Sequence, residues 1–219
     1  MLFSAIRGEL TIETAILQIL VIALMVFLIL PIHEFAHAGV ALLLGDKSIK
    51  YKGRLSLNPL AHIAPMGALC MLLVGFGWAK PVPVNPSYFK RPKLYMALTA
   101  LAGPVSNILC GMVGGLIYRL AVSNMTVDFY FGFGQYILMF LLYYVVINVN
   151  LAVFNMIPLP PLDGSKVLFL FLPQRAVEFC YRYQRFFFLG LYVLMFAGAF
   201  SGIMGYATDF LVNICLFSF

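Results

Sequence analysis

The sequence predicts an all-α polytopic membrane protein of about four to six transmembrane helices, with a short membrane-associated β hairpin or re-entrant loop. Three observations carry that prediction. Of 219 residues, 63% are hydrophobic and 10% charged, against roughly 45–50% and about 25% in soluble domains. The apolar residues gather into runs that approach or exceed the roughly 20 needed to cross a bilayer. No stretch between the runs is long enough to bury a core of its own.

The elements follow in order. Residues 15–44 form the first predicted span, with Pro31 as a candidate kink. This run is longer than the core of a signal peptide, so it reads as a retained span. Residues 45–60, "GDKSIKYKGRLSLNPL", partly alternate polar with apolar positions and predict a hairpin or edge strand at the membrane surface. Residues 66–78 are apolar but too short to span, and "AKPVPVNP" follows, which suits a re-entrant or interfacial loop. Spans two and three are predicted over 95–120 and 130–157. The first is interrupted by "AGPVSN", and the second runs into "NMIPLPPLDGSK", whose prolines end the helix. Residues 186–204 give a fourth span, and the tail to 219 forms a fifth or lies at the interface.

Charge placement orients these spans. Lys47, Lys50, Lys52 and Arg54 follow span one. Lys80, Lys90, Arg91 and Lys93 precede span two, and Lys166, Arg175, Arg182 and Arg185 lie between spans three and four. With four spans all twelve share one side, which the positive-inside rule makes cytoplasmic, with the N-terminus outside. The net charge of +6 is thereby explained by topology. No dense basic run with interleaved aromatics points to nucleic acid. Cys70, Cys110, Cys180 and Cys215 stand singly in apolar surroundings, without metal-knuckle or disulfide spacing, and read as small core residues.

The chemistry is announced by "HEFAH" at 33–37. On a helix, residues four apart share a face, so His33 and His37 can reach one metal ion while Glu34 contacts a bound water. Ionisable groups inside a span are expensive and mark functional sites. A zinc ion used for catalysis takes three protein ligands and keeps a fourth position open, so one more donor is required. Asp128 and Asp209 fall on or near the wrong side, Asp46 is too near in sequence, and Glu178 sits among arginines that would pair it. Asp163, on the same side as the histidines, is the third ligand by elimination, with His62 as runner-up.

Taken together, "HEFAHA", "NPLAHIAPMG", "GWAKPVPVNP", "AGPVSN" and "FNMIPLPPLDGSK" resemble the site-2 protease family of intramembrane zinc metalloproteases, and its compact members without PDZ or CBS domains above all. The resemblance covers about residues 15–170. It implies one catalytic Zn2+ held by His33, His37 and Asp163, with Glu34 as general base and Asn155 positioning the substrate or its reacting carbonyl. Ala64 stands where compact members usually carry Asp.

The resulting expectation is a single integral-membrane metalloprotease domain over 1–219, with a catalytic core over about 15–170 and extra helices over about 186–219. Its substrate is a membrane protein with a transmembrane helix. Its surroundings are the bilayer of the cell membrane, and its active site lies near the cytoplasmic face. A second copy of the chain or a regulatory membrane protein are further candidate partners. The alternating stretch 51–57 is expected to offer an edge for β-addition of an unwound substrate. The competing reading is a divalent-metal transporter using the same His/Asp cluster, though such proteins need several stacked sites and often repeated halves.

Overall fold

The computed structural model describes residues 20, 23–74, 79–126 and 130–217. The start of the predicted first span, residues 15–19 with 21 and 22, lies outside the described residues. Helix α1, Leu30–Leu43, is entered through a π-helical turn at Met25–Ile29. Pro31 stands in the first turn of α1, directly after that π-helical turn. α1 ends at Gly45, whose φ of 121° suits glycine. The Gly45 N–H bonds Leu42 O at 3.2 Å and the Asp46 N–H bonds Ala41 O at 2.9 Å, a Schellman closure.

The hairpin predicted over 45–60 does not form. A 3-10 helix, Lys47–Lys52, occupies its first half, capped by Asp46, whose carboxylate accepts from Ser48 N at 3.1 Å. "GDKS" is thus a helix-stop followed by a helix-start, and these local signals outweigh the weak alternation of the residues after them. The edge expected at 51–57 is lost with the hairpin. Among the described residues the only β pairing is an isolated antiparallel bridge between Ile63 and Ala79. Two short helices follow, α2 (Pro59–His62) and α3 (Pro65–Val74), the latter ten residues long and too short to span.

Residues 79–85 run as a non-helical strap tied down along its length, with a tight turn at Pro83 where Val84 N–H bonds Val82 O at 2.9 Å. Lys80 N–H donates to His62 O at 2.7 Å, and Asn85 N–H donates to Asp46 Oδ2 at 2.8 Å. Lys52 Nζ donates to Pro83 O at 2.6 Å. Val82 and Val84 pack on a small core of Ala38, Ala41, Ile49 and Phe89. Asp46, dismissed as a ligand on sequence grounds, is fully buried because it joins the end of α1 to this strap.

Helix α4, Pro92–Asn124, is the centre of the fold and packs against α1, α5 (Gln135–Asn155), α6 (Asp163–Leu168) and α9 (Ser201–Cys215). Its "GMVGG" face makes close approach feasible. A Cβ at Gly111 would stand 3.3 Å from Cys215 Sγ and one at Gly114 2.7 Å from the Tyr144 ring. Val145, Val149 and Cys215 are wholly buried there. All four cysteines are free, but only Cys215 is fully buried; the others are half-buried.

Two described helices are long and apolar enough to cross a membrane, Pro92–Asn124 and Gly132–Asn155, fewer than the four to six expected. Phe27–Leu43 is apolar but shorter. The C-terminal run divides into α8 (Gln184–Phe196) and α9, because the chain turns at Gly198 (φ 71°) in a second Schellman closure. Before them lies α7, Gln174–Arg182.

Candidate metal centre

His33 and His37 lie on the buried face of α1 with Glu34, Ala38 and Ala41. The i, i+4 spacing brings their Nε2 atoms to 3.0 Å. Asp163 reaches the same point from 126 residues away, its Oδ2 standing 3.1 Å from His37 Nε2 and 3.3 Å from His33 Nε2. Among the described residues this is the one group of three or more His, Cys, Asp or Glu placed to hold a metal ion.

The triangle fits such an ion. Tetrahedral zinc bonds of about 2.0–2.1 Å place neighbouring ligand atoms about 3.3 Å apart. His37 Nδ1 stands 2.7 Å from Thr99 O, and since a carbonyl only accepts, the ring carries its proton on Nδ1. Its Nε2 lone pair is therefore directed to the shared point, the usual outer-shell device of metal-bound histidine. His33 Nδ1 has no partner among the described residues.

α4 and α6 make room for this centre. Gly103 has no side chain because none fits. A Cβ there would stand 2.6 Å from His33 Nε2 and nearer still to His37 Nε2. Asp163 is placed by the termination of α5, where Pro158, Pro160 and Pro161 prevent the helix from continuing and the chain re-enters a helix at Asp163 itself. The reversal is tight. A Cβ on Gly164 would fall 2.7 Å from Ile157 O and closer to Met156 O.

The electrostatics favour an ionised Asp163. Burial pushes its carboxyl up, but the positive charge of its neighbours, the Lys166 ammonium among them, more than reverses this and holds it well below the ordinary carboxylate range. Lys166 Nζ bonds Asp163 Oδ1 at 2.9 Å. Glu34 Oε2 accepts from the strap, from Val82 N–H at 3.2 Å. A cavity of about 740 Å3 opens onto His33, Glu34, His37, Asp163, Lys166 and Asn155, walled on one side by the strap and on another by Tyr181 and Phe188.

The other sequence candidates are elsewhere. His62 is buried with its Nε2 2.7 Å from Ser56 O, outside the cluster. Glu178 is exposed and accepts from Gln174 at 3.3 Å rather than from an arginine. Asp209 is exposed on α9, and Asp128 lies outside the described residues. Asn155 lines the cavity and spends one amide hydrogen on Leu151 O at 2.9 Å. Sequence reasoning missed Thr99 and Val82, which act through backbone atoms that no side-chain motif reports. It also missed Lys166, read as a topology charge, although its i, i+3 spacing from Asp163 was a usable signal.

Two histidines one turn apart, an acid between them and a carboxylate closing the triangle define the class of metal-dependent hydrolases. The particular family follows from comparison. Peptidase family M50 matches residues 21–197, and the chain belongs to it, the site-2 protease family to which the motifs pointed. Over 139 residues it is 42% identical to "Putative zinc metalloprotease YwhC" of Bacillus subtilis (strain 168), covering 62% of each chain. It is 26% identical over 144 residues to "Putative zinc metalloprotease Rip2" of Mycolicibacterium smegmatis, covering 64% of this chain and 52% of that one. The similarity thus spans less than two thirds of these relatives' length. No solved structure matches the chain significantly.

Proposed function

We propose that the chain is an intramembrane zinc metalloprotease that hydrolyses peptide bonds in or near transmembrane segments of membrane-protein substrates. The observation that carries this reading is the buried triangle of His33, His37 and Asp163, set against an apolar helix and open to a cavity that also holds Glu34. The names of the relatives support zinc as the ion. One cluster, at one depth among the described residues, favours a hydrolase over a transporter, which needs a series of sites.

When bound, zinc supplies the electrophile, polarising the scissile carbonyl and acidifying the attacking water. His33, His37 and Asp163 hold the ion, and Thr99 O keeps the His37 ring in the tautomer that does so. Glu34 is the general base. With Oε2 committed to Val82 N–H, its Oε1 takes the water proton as the water oxygen adds to the carbonyl carbon. Glu34 then returns that proton to the leaving nitrogen as the C–N bond breaks. Asn155, with one amide hydrogen engaged by Leu151 O, offers the other to a substrate carbonyl. The cavity walls of Leu30, Pro81, Val82 and Leu151 exclude water around a locally unwound segment.

The charge asymmetry supports a multi-pass protein of the cell membrane with its site near the cytoplasmic face and its N-terminus outside. The test is direct: purify the protein, measure bound zinc, and follow cleavage of a transmembrane reporter by wild type and Glu34→Gln. Glu34→Gln should keep its zinc and lose cleavage by about 10²-fold or more. Equal cleavage by both proteins would overturn the reading.

A further inference from the structure

Asp163 is held by both of its oxygens, and the two partners differ in kind. Oδ2 faces the histidine pair at 3.1 and 3.3 Å, whereas Oδ1 is taken by Lys166 Nζ at 2.9 Å. The carboxylate is 9% exposed, the lysine side chain 31%, so the ammonium closes the bond from the cavity side. From this geometry we infer that Lys166 is a positioning residue of the metal centre, keeping Asp163 a one-oxygen ligand and so preserving an open coordination position for water.

A carboxylate can bind a metal through one oxygen or through two. Using both would fill the position that a catalytic zinc site keeps for its water. An ammonium on Oδ1 removes that option, because its charge-assisted bond must break before the second oxygen can turn to the ion. It also locks the carboxylate torsion before any ion arrives. The helix supplies the leverage: Asp163 opens α6 and Lys166 follows one turn later, so the pair is set by i, i+3 geometry and is independent of the α1 histidines. Lys166 also carries its charge into a cavity whose other charged groups are the metal-site residues themselves, so within the lining Asp163 is its anionic partner.

This inference rests on the proposed metal reading, and one experiment separates their failures. Purified full-length wild type, Lys166→Met and Lys166→Arg are titrated with Co2+, and the visible absorption of the bound ion is recorded, since four-coordinate cobalt absorbs far more strongly than five-coordinate cobalt. Cleavage of a transmembrane reporter is followed on the zinc-loaded proteins. Lys166→Met should still bind one equivalent of cobalt but with a weakened visible band as Oδ1 joins the ion. Its cleavage should fall by about 10–100-fold, the usual range for losing an outer-shell partner. Lys166→Arg should restore both signals. A Lys166→Met protein with the wild-type band overturns the inference while leaving the metal reading standing. Wild type that binds no cobalt overturns both, and loss of cobalt binding in Lys166→Met with retention in Lys166→Arg overturns the claim that a second oxygen joins.

Discussion

The two halves of the candidate metal centre are built in opposite ways. The histidine half is local: His33 and His37 share one face of α1, and a single helical turn brings their nitrogens to 3.0 Å. The aspartate half is non-local: Asp163 arrives across 126 residues, by way of a proline-terminated helix, a glycine that tolerates contact with two carbonyls, and a lysine that holds the outer oxygen. The local half needs only a helix in order to exist. The other half needs α4, α5 and α6 to be assembled first, so it is the part that destabilising changes should loosen.

The largest effect expected tests whether the halves are separable. His37→Ala should reduce bound zinc to background and abolish cleavage. Asp163→Asn, which keeps shape but removes charge, should retain weakened zinc through the two histidines. Metal analysis of the purified proteins decides this, and identical zinc loss in both would show that the halves act as one unit.

Next come paired glycine changes. Gly103→Ala drives a methyl group between the two histidine rings, so it attacks the local half from outside. Gly164→Ala forces the Met156–Ile157 backbone away and displaces the aspartate half. Each inserts volume into a packed site at a cost of about 1–3 kcal/mol. Gly103→Ala should weaken zinc by about 10–100-fold, whereas Gly164→Ala should lower the thermal midpoint as well. Chelator competition and thermal unfolding in detergent separate them, and the comparison fails if Gly103→Ala binds zinc normally.

The smallest effect concerns the strap rather than either half. Val82→Pro deletes the N–H that reaches Glu34, in a segment already flanked by Pro81 and Pro83. Zinc content should stay at wild-type level while kcat falls about tenfold, a part of the roughly 10²–10⁴ that a general base contributes. Val82→Ala keeps the N–H and should behave as wild type. Matching losses in both variants would assign the strap's role to side-chain packing.

Some of this was open to reading from the residues alone. "HEFAH" can act as a metal half-site on any helix, because a 3.6-residue turn places positions 33 and 37 together whatever surrounds them. Asp163 was reached by elimination, since few acids lie on the correct side. The hairpin expected over 45–60 gives way to a 3-10 helix because the stop at Gly45 and the cap at Asp46 outweigh weak alternation. Among the described residues fewer helices than expected are long enough to span, and at the C-terminal end Gly198 turns a continuous apolar run into two shorter helices.

By itself, then, the sequence determined the membrane character, the histidine pair with its intervening acid, and the identity of the third candidate ligand. The first two depend on composition or on spacing within one turn, and the third on elimination among the few acids. Tertiary structure alone decided that Thr99 orients His37, that Val82 reaches Glu34, that Gly103 clears space for both rings, and that Asp46 fastens the strap. Those contacts join backbone atoms and vacant Cβ positions on different helices. Side-chain motifs carry no record of them, because which carbonyl or glycine faces a histidine is set by how whole helices pack.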